Sequence, residues 1–308
     1  MKLVFFGTPS FALPTLEKLY NSKHKILSII TSPDSKSGRG LKIHYSPVKK
    51  FAIKNTLLTK QPLSFKDEKL INFLKNLNAD IFIVVAFKIL PEEILNIPKY
   101  GSINLHASLL PKYRGAAPVH HAILNGDNIL GLTTFFLNKN TDTGDILLQN
   151  KININNNDTT GEALEKLSKV GSDLVCDTIE GIRNKTIISK KQDNTKATSA
   201  PKIKVIDCKI NWSSNSNYIH NQIRAFSPIP GAYSYINKKR VKLYGSIIVR
   251  DHFKGLEPGT ILFKDKNVLI STKTHCISIS KFHFEGKKII NANQFILGYK
   301  YLNGKRFN

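Results

Sequence analysis

Apolar and polar positions in the first half of the chain form blocks that predict strands and helices in alternation. Asp80–Ala86 is an almost continuous apolar run, typical of a strand buried on both faces of a parallel sheet. Lys2–Phe6 predicts a first strand, and Ser64–Asp67 predicts a capping box before an amphipathic helix. Further predicted elements are helices near 10–20, 91–97 and 160–182 and strands at His24–Ile30, Leu57–Thr59, Ser102–Leu105, Ile129–Leu137 and Ile146–Ile152. This alternation predicts a doubly wound, mostly parallel, Rossmann-like α/β domain.

The pattern changes in the last third of the chain. Residues 190–206 are polar and lack periodicity, and we interpret them as a linker. One helix is predicted near 214–224, and it is followed by short strands separated by turns. Such strands indicate a second, small β-barrel domain that is OB-like. The predicted domains are therefore residues 1–189 and residues 207–308, joined by the linker.

Composition narrows the class of protein. The chain has 308 residues, of which 41% are hydrophobic, so it can bury a core and is not wholly disordered. No apolar run reaches the roughly 18–20 residues that a membrane helix needs, and we expect no membrane partner. Cys176, Cys208 and Cys276 are far apart and odd in number. They fit neither a disulfide framework nor a zinc site, so we expect a cytoplasmic protein without a bound metal.

The charge is strongly positive, at +24 from 46 basic and 22 acidic residues. Lysine outnumbers arginine 39 to 7, so coding bias and a polyanionic partner are both possible explanations. The excess is uneven, because residues 207–308 carry 17 basic and five acidic groups, or half of the total. Coding bias would spread the charge evenly, so this distribution favours a nucleic-acid partner.

Candidate chemistry is concentrated at the end of one predicted strand. Asn104 and His106 are two residues apart, so their side chains point to the same face of the sheet, at its carboxyl edge. An amide can donate to an oxygen that gains negative charge, and an imidazole can move or orient protons. Asp142, in the segment Thr141–Asp145, can orient that imidazole. For each element taken alone, a structural role or a simple Asp-Gly turn is the commoner alternative.

Taken together, these segments resemble a known family. The pair Asn104 and His106, the stretch Ser108–Gly115 and the stretch Asp142–Asp145 resemble the folate-dependent formyltransferases. Gly38-Arg39-Gly40 resembles an insert found in the branch of that family that acts on initiator tRNA, and residues 223–232 resemble the C-terminal domain of the same branch. The resemblance covers essentially the whole chain.

The resemblance implies formyl transfer from 10-formyltetrahydrofolate to the α-amino group of methionyl initiator tRNA. It carries catalytic roles onto Asn104, His106 and Asp142. The folate site that it implies lies along two loops, Phe87, Lys88, Ile89, Leu90 and Ser108, Leu109, Leu110, Pro111. The tRNA contacts that it implies are Arg39, Lys36 and Lys42 in the insert. The first loop is shorter than in many relatives, which leaves the pterin contacts open.

Two other functions are compatible with parts of the sequence. A 10-formyltetrahydrofolate hydrolase would share the Asn–His–Asp trio but use water as the acceptor, which leaves the basic last third unexplained. A non-catalytic RNA-binding protein would explain the charge, which leaves the intact trio unexplained. We expect a monomer, and the sequence leaves open whether His106 acts as an acid or only orients.

Overall fold

The structure is a computed structural model that describes residues 1–37, 42–250 and 255–308. Its strands are β1 Lys2–Gly7, β2 Lys25–Ile30, β3 Ser35–Ser37, β4 Lys42–His44, β5 Thr59–Lys60, β6 Ile81–Val85, β7 Ser102–His106, β8 Ile129–Phe136, β9 Ile146–Asn153, β10 Tyr233–Ile236, β11 Lys239–Val249, β12 Ile261–Lys264, β13 Asn267–Ser271, β14 Cys276–Phe284 and β15 Ile290–Asn291. Its α-helices are α1 Leu13–Tyr20, α2 Pro47–Lys54, α3 Glu68–Asn76, α4 Glu92–Leu95, α5 Pro118–Leu124, α6 Thr160–Asn184, α7 Ser216–Ala225 and α8 Ala292–Gly298. Single 3₁₀ turns occur at Ser10–Ala12, Asn194–Lys196, Val205–Cys208 and Lys300–Leu302.

The chain divides into two compact units that are not contiguous in sequence. Unit 1 comprises Met1–Gly115, Leu130–Ile152 and Leu164–Ala200, and unit 2 comprises Ala116–Ile129, Asn153–Ala163 and Pro201–Asn308. Helix α5 therefore belongs to unit 2 although it lies between two stretches of unit 1. Compactness alone does not define a folding domain, so the limits at residues 189 and 206 stay a prediction.

Unit 1 is built on a seven-stranded sheet in the order β5-β2-β1-β6-β7-β8-β9. Strands β5, β2, β1, β6 and β7 are parallel, and β8 is antiparallel to β7. All five residues of β6 are buried, because apolar side chains on both faces of a central strand are covered. Leu70, Ile71 and Leu74 of α3 pack against Phe82 and Val84 of this strand. The predicted doubly wound α/β domain is confirmed.

The predicted capping box at Ser64–Asp67 is wrong in its details. Helix α3 begins one turn later, and its N-cap is Asp67, whose Oδ1 accepts from the Lys69 N–H at 3.0 Å. The Ser64 hydroxyl accepts from the Lys66 N–H at 3.1 Å and so closes a turn before the helix. A short polar side chain competes for nearby backbone donors in either setting, so the sequence pattern alone does not separate the two.

Unit 2 contains an antiparallel sheet in the order β10-β11-β14-β13-β12, with β15 pairing with β14, and the sheet curls into a half-barrel. Trp212 lies in its core and is 4% exposed. The Trp212 ring stacks on Phe307 at 5.7 Å, and its Nε1–H donates to the Ser234 hydroxyl at 3.0 Å. The curled sheet therefore has aromatic side chains in its core.

Candidate functional site

The candidate site is built at the carboxyl edge of the unit 1 sheet, at the end of β7. Strand β7 lies between β6 and β8, so Asn104 is paired with Val84 on one side and Phe135 on the other. Asn104 is half-buried, and His106 is 6% exposed. Since the two residues are separated by one position, their side chains project from the same face of the strand.

His106 has an oxygen on each side of its ring. Its Nε2 lies 2.9 Å from the carbonyl oxygen of Tyr113, and its Nδ1 lies 3.7 Å from Oδ2 of Asp142. A carbonyl oxygen only accepts, so the hydrogen-bond partner assigns a proton to Nε2. In the neutral ring Nδ1 then carries the lone pair and faces the carboxylate. The Phe135 ring meets the imidazole edge to face, with a centroid separation of 6.4 Å.

Asp142 is held in a tight turn between β8 and β9. Its backbone φ is +54°, in the left-handed region that most residues avoid, and its Oδ2 accepts from the Gly115 N–H at 2.8 Å. Gly144 follows, and a Cβ at that position would overlap the carbonyl oxygen of Phe136. The turn therefore needs glycine there, and it directs the carboxylate to His106. The structure thus brings His106 and Asp142 together.

A second layer of polar contacts supports this turn, and the sequence analysis missed it. The Gln192 amide Nε2 donates to the carbonyl oxygens of Asp142 at 2.9 Å and Gly144 at 2.8 Å. Its Oε1 in turn accepts from Arg114 Nη2 at 2.7 Å and Nε at 3.1 Å. Gln192 lies in the segment interpreted as a linker, so no local motif marked it. The Arg114 guanidinium also reaches Oδ1 of Asn194 at 2.9 Å.

The loop Ser108–Pro111 follows β7 and is fixed by side chains from the neighbouring strands. Thr133 Oγ1 donates to the Ser108 carbonyl at 2.7 Å and accepts from the Leu110 N–H at 3.1 Å. The Gln149 amide donates to the Leu110 carbonyl at 2.9 Å. The side chains of Ser108 and Leu110 are buried, whereas Leu109 and Pro111 are half-buried. The loop is therefore a rigid wall beside the strand that carries His106.

The other predicted loop follows β6, whose carboxyl end lies at the same edge of the sheet because β6 and β7 are parallel. The structure separates its four side chains into two groups. The Phe87 ring packs edge-on against Phe6 at 5.8 Å, and Leu90 is 4% exposed. Lys88 and Ile89 are exposed, Ile89 to 75%. Lys88 and Ile89 are thus the most accessible side chains of this loop, and Phe87 is half-buried.

The predicted tRNA contacts lie in the insert between β2 and α2. Lys36 belongs to β3 and Lys42 to β4, and these strands form an antiparallel hairpin in which Ser37 is opposite Lys42. Arg39 lies outside the described residues. The charge interpretation of the insert therefore stays a prediction.

The described residues were also compared with the requirements of a metal site and of a membrane-spanning helix. Over residues 1–37, 42–250 and 255–308, no group of three or more His, Cys, Asp or Glu side chains is placed to hold a metal ion. In the same part of the chain, no helix has the length and apolar character needed to cross a bilayer.

The sequence matches one family along nearly the whole chain. Residues 1–179 match the family model described as formyl transferase, and residues 202–300 match the model described as formyl transferase, C-terminal domain. The chain belongs to the formyl transferase family.

Individual relatives narrow the comparison. The chain is 43% identical to a protein of Thermodesulfovibrio yellowstonii named methionyl-tRNA formyltransferase, over 98% of this chain and 97% of that protein. A protein of the same name from Fusobacterium nucleatum is 40% identical over 97% of both chains. Among solved structures, HypX from Aquifex aeolicus in complex with tetrahydrofolic acid shares the fold, with a TM-score of 0.68 and 16% identity. That match covers 97% of this chain but 47% of HypX, so this chain spans about half of that protein.

Proposed function

We propose that this chain transfers the formyl group of 10-formyltetrahydrofolate to the α-amino group of methionyl initiator tRNA. The observation that carries the proposal is the full-length similarity to relatives named methionyl-tRNA formyltransferase, 43% over 98% of the chain. A folate donor is supported by the shared fold of HypX, which was solved with tetrahydrofolic acid.

In this proposal three side chains act on the reacting atoms. The neutral α-amine attacks the formyl carbon, and the Asn104 amide donates to the formyl oxygen as negative charge builds on it. The bond from the formyl carbon to the folate nitrogen then breaks, and that nitrogen leaves with a proton. Asp142 and His106 remove the proton that the amine loses, directly or through water, and pass it to the leaving folate nitrogen.

The hydrogen bonds of His106 indicate which ring nitrogen does this work. Because Nε2 donates to the Tyr113 carbonyl at 2.9 Å, the nitrogen left with a lone pair is Nδ1, which faces Asp142. Nδ1 is therefore the atom that accepts or relays the proton. The Tyr113 carbonyl fixes the tautomer, and the carboxylate stabilises the charge that the ring gains.

The folate is proposed to lie along the two loops at the same sheet edge. The rigid wall Ser108–Pro111 offers one side, and the exposed residues Lys88 and Ile89 offer the other. Phe87 and Leu90 then act indirectly, because their side chains pack into the core and fix the backbone that the pterin ring would meet. The two loops suit a flat, hydrogen-bonding ring, because their backbone groups and few polar side-chain atoms can orient it.

We propose a division of labour in which residues 1–189 react and residues 207–308 hold the tRNA. Arg39, Lys36 and Lys42 are proposed to contact the tRNA from the first part. The last third carries 17 basic and five acidic groups and none of the trio. Phosphate contacts with that surface should make tRNA binding strongly salt-dependent.

The reaction assay separates the proposed function from its rivals. The full chain is incubated with 10-formyltetrahydrofolate and methionyl initiator tRNA, and N-formylmethionine and free formate are both quantified. Formylmethionine in proportion to the donor consumed is expected. Free formate as the main product would identify a hydrolase, and an unconsumed donor would indicate a binding protein.

Salt dependence tests the role of the last third. Lys281, Lys300 and Lys305 are exposed in unit 2, and their combined change to Gln should lower the slope of log affinity against log salt by up to ~0.9 for each phosphate that is no longer neutralised. The matched variant changes three exposed lysines of unit 1, Lys66, Lys69 and Lys75, to Gln. Equal slopes in both variants and the wild type would show that the unit 2 lysines tested do not bind phosphates.

A further inference from the structure

A cavity of about 600 Å³ opens on unit 2, in a part of the chain that the proposed chemistry does not use. One side is the hairpin of β10 and β11, whose turn is Asn237-Lys238, both at positive φ. The other sides are the turn after β14 and the 3₁₀ turn near the C-terminal end of the described chain. The volume is in the range that takes a small ligand or one nucleotide.

Aromatic rings form a stack that ends at this cavity. The Phe295 ring is fully buried, the Tyr299 ring stacks on Phe284 at 4.7 Å with an interplanar angle of 14°, and it lies 5.2 Å from Phe295. Tyr301 lies beyond the stack, 6.3 Å from Tyr299 with its ring tilted by 50°, and is 63% exposed. Tyr299 is thus fixed by the core, and Tyr301 presents a ring to solvent beside it.

The charges around these rings are mostly positive. Lys238, Lys239 and Lys287 line the cavity and are exposed. Among the described residues that line it, the one acidic side chain is Glu285, which is paired with Arg240 at 2.9 Å. Lys287 Nζ lies 6.0 Å from the centre of the Tyr299 ring. The cavity therefore combines an exposed tyrosine ring, that of Tyr301, with three ammonium groups that the acid does not neutralise.

We propose that this cavity binds one unpaired nucleotide of an RNA, with its base stacked on Tyr301 and its phosphates against the lysines. Aromatic side chains accept any base through its π-face, and lysines neutralise the flanking phosphates. A duplex offers phosphates but no free base, so it engages the lysines and not the rings. The inference rests on the proposed function in that the RNA is the tRNA substrate.

Fluorescence of a short single-stranded RNA that carries 2-aminopurine tests the proposal, with the full chain and three variants. Tyr301→Ala should weaken binding about 5- to 100-fold and abolish the quenching that stacking causes. Tyr301→Phe keeps a ring and should restore both. Tyr218→Ala removes another exposed tyrosine of unit 2, outside the cavity, and should bind as the wild type does.

The outcomes that overturn the proposal are equally distinct. Equal binding by all variants would overturn it, as would failure of Tyr301→Phe to restore quenching. So would a Tyr301→Ala variant that loses as much affinity for a fully paired RNA duplex as for the single strand. Displacement of the RNA by polyglutamate at matched charge would indicate a site for acidic peptides and would also overturn it. Formyl transfer to methionyl initiator tRNA is measured alongside with the wild type. If formyl transfer is absent, the proposed function fails and the oligonucleotide result still stands. If stacking of the oligonucleotide is absent while formyl transfer is present, only the inference about this cavity fails.

Discussion

At the scale of single residues, the proposed role of His106 follows from the two oxygens beside its ring, the Tyr113 carbonyl and the Asp142 carboxylate. His106→Ala should lower kcat by ~10²–10⁴-fold, because the ring is the group that can take or relay the proton. Folate binding measured by fluorescence should persist, since the ring supports no part of the Ser108–Pro111 wall. Near-normal turnover by this variant would remove His106 from the chemistry.

Asp142→Asn separates charge from shape at the same site. The new amide oxygen can still accept from the Gly115 N–H, so the turn should keep its conformation. The side chain can no longer take a proton or stabilise a charged imidazole, so a fall in kcat of ~10²–10⁴-fold is expected. Both kcat and the thermal midpoint are measured for this variant and for the wild type, and only kcat should change. A mild effect on kcat would make Asp142 a turn residue only.

Gln192 is a positioning residue, because it contacts the backbone of the turn and not the reacting atoms. Gln192→Ala removes two donors to that backbone and should lower kcat by roughly 10- to 100-fold, with a smaller change in KM.

The matched control for Gln192 is Gln222→Ala. The Gln222 amide also donates to two backbone carbonyls, those of Asp207 and Lys209, but in unit 2. It should lower the thermal midpoint and spare kcat. Equal effects of the two variants on kcat would show that Gln192 acts through stability alone.

The residues differ in how far the sequence could predict them. Asn104, His106 and Asp142 were found because local motifs surround each of them. Gln192 acts on a turn about 50 residues earlier in the chain, and nothing in its own polar surroundings indicates that long-range contact. Tyr113 contributes through its carbonyl, which every residue has, so its identity gives no information.

At the scale of elements, the turn between β8 and β9 depends on the space available at Gly144. Gly144→Ala would drive a methyl group into the Phe136 carbonyl, so the backbone must shift, at a cost of about 1–3 kcal/mol in the free energy of unfolding. The shift should also displace Asp142 and lower activity. Urea unfolding and the formyl transfer assay measure the two effects.

Gly298→Ala is the control for that change. Gly298 ends α8, and a Cβ there meets nothing within 4 Å. A change within about 0.5 kcal/mol is expected. If Gly144→Ala changed the free energy of unfolding as little, the close approach of Gly144 to the Phe136 carbonyl would not be what positions Asp142.

Strands and helices were predicted best where their own apolar pattern, rather than contacts with distant residues, determines their structure. The buried strands β1 and β6 were predicted within one residue at each end, because a continuous apolar run has few alternatives. The hairpin of β3 and β4 and helix α2 were not predicted, since the hairpin strands are short and polar and the helix is only eight residues long. The start of helix α2 is marked by Ser46, whose hydroxyl accepts from the Lys49 N–H at 3.1 Å, and by Pro47 at its first position.

At the scale of the whole molecule, histidines removed from solvent couple stability to pH. Burial lowers the pKa of His220 and of His120, and burial together with the N-terminal ammonium lowers the pKa of His24. The unfolded chain therefore binds more protons than the folded chain below pH ~6.5. The stability is fully present above that pH and is lost as the pH falls, by up to about 1.4 kcal/mol per pH unit for each histidine.

Urea unfolding at several pH values measures this dependence. His220→Gln removes one titrating group whose pKa is lowered by burial, so it should flatten the slope. Stability that stays constant from pH ~7 to ~5 would contradict the expectation.

The interleaved order of the two units has a consequence for synthesis on the ribosome. Helix α5 packs against α7 within unit 2, with Val119 and Ile123 buried, but α7 follows it roughly 90 residues later. At 5–20 residues per second the nascent α5 waits about 5–20 seconds for its partner. The first compact unit can close during that time, while the second must keep an early apolar helix available until the last third has left the exit tunnel. A pause or truncation in that interval exposes α5 and makes the unfinished chain a client for chaperones.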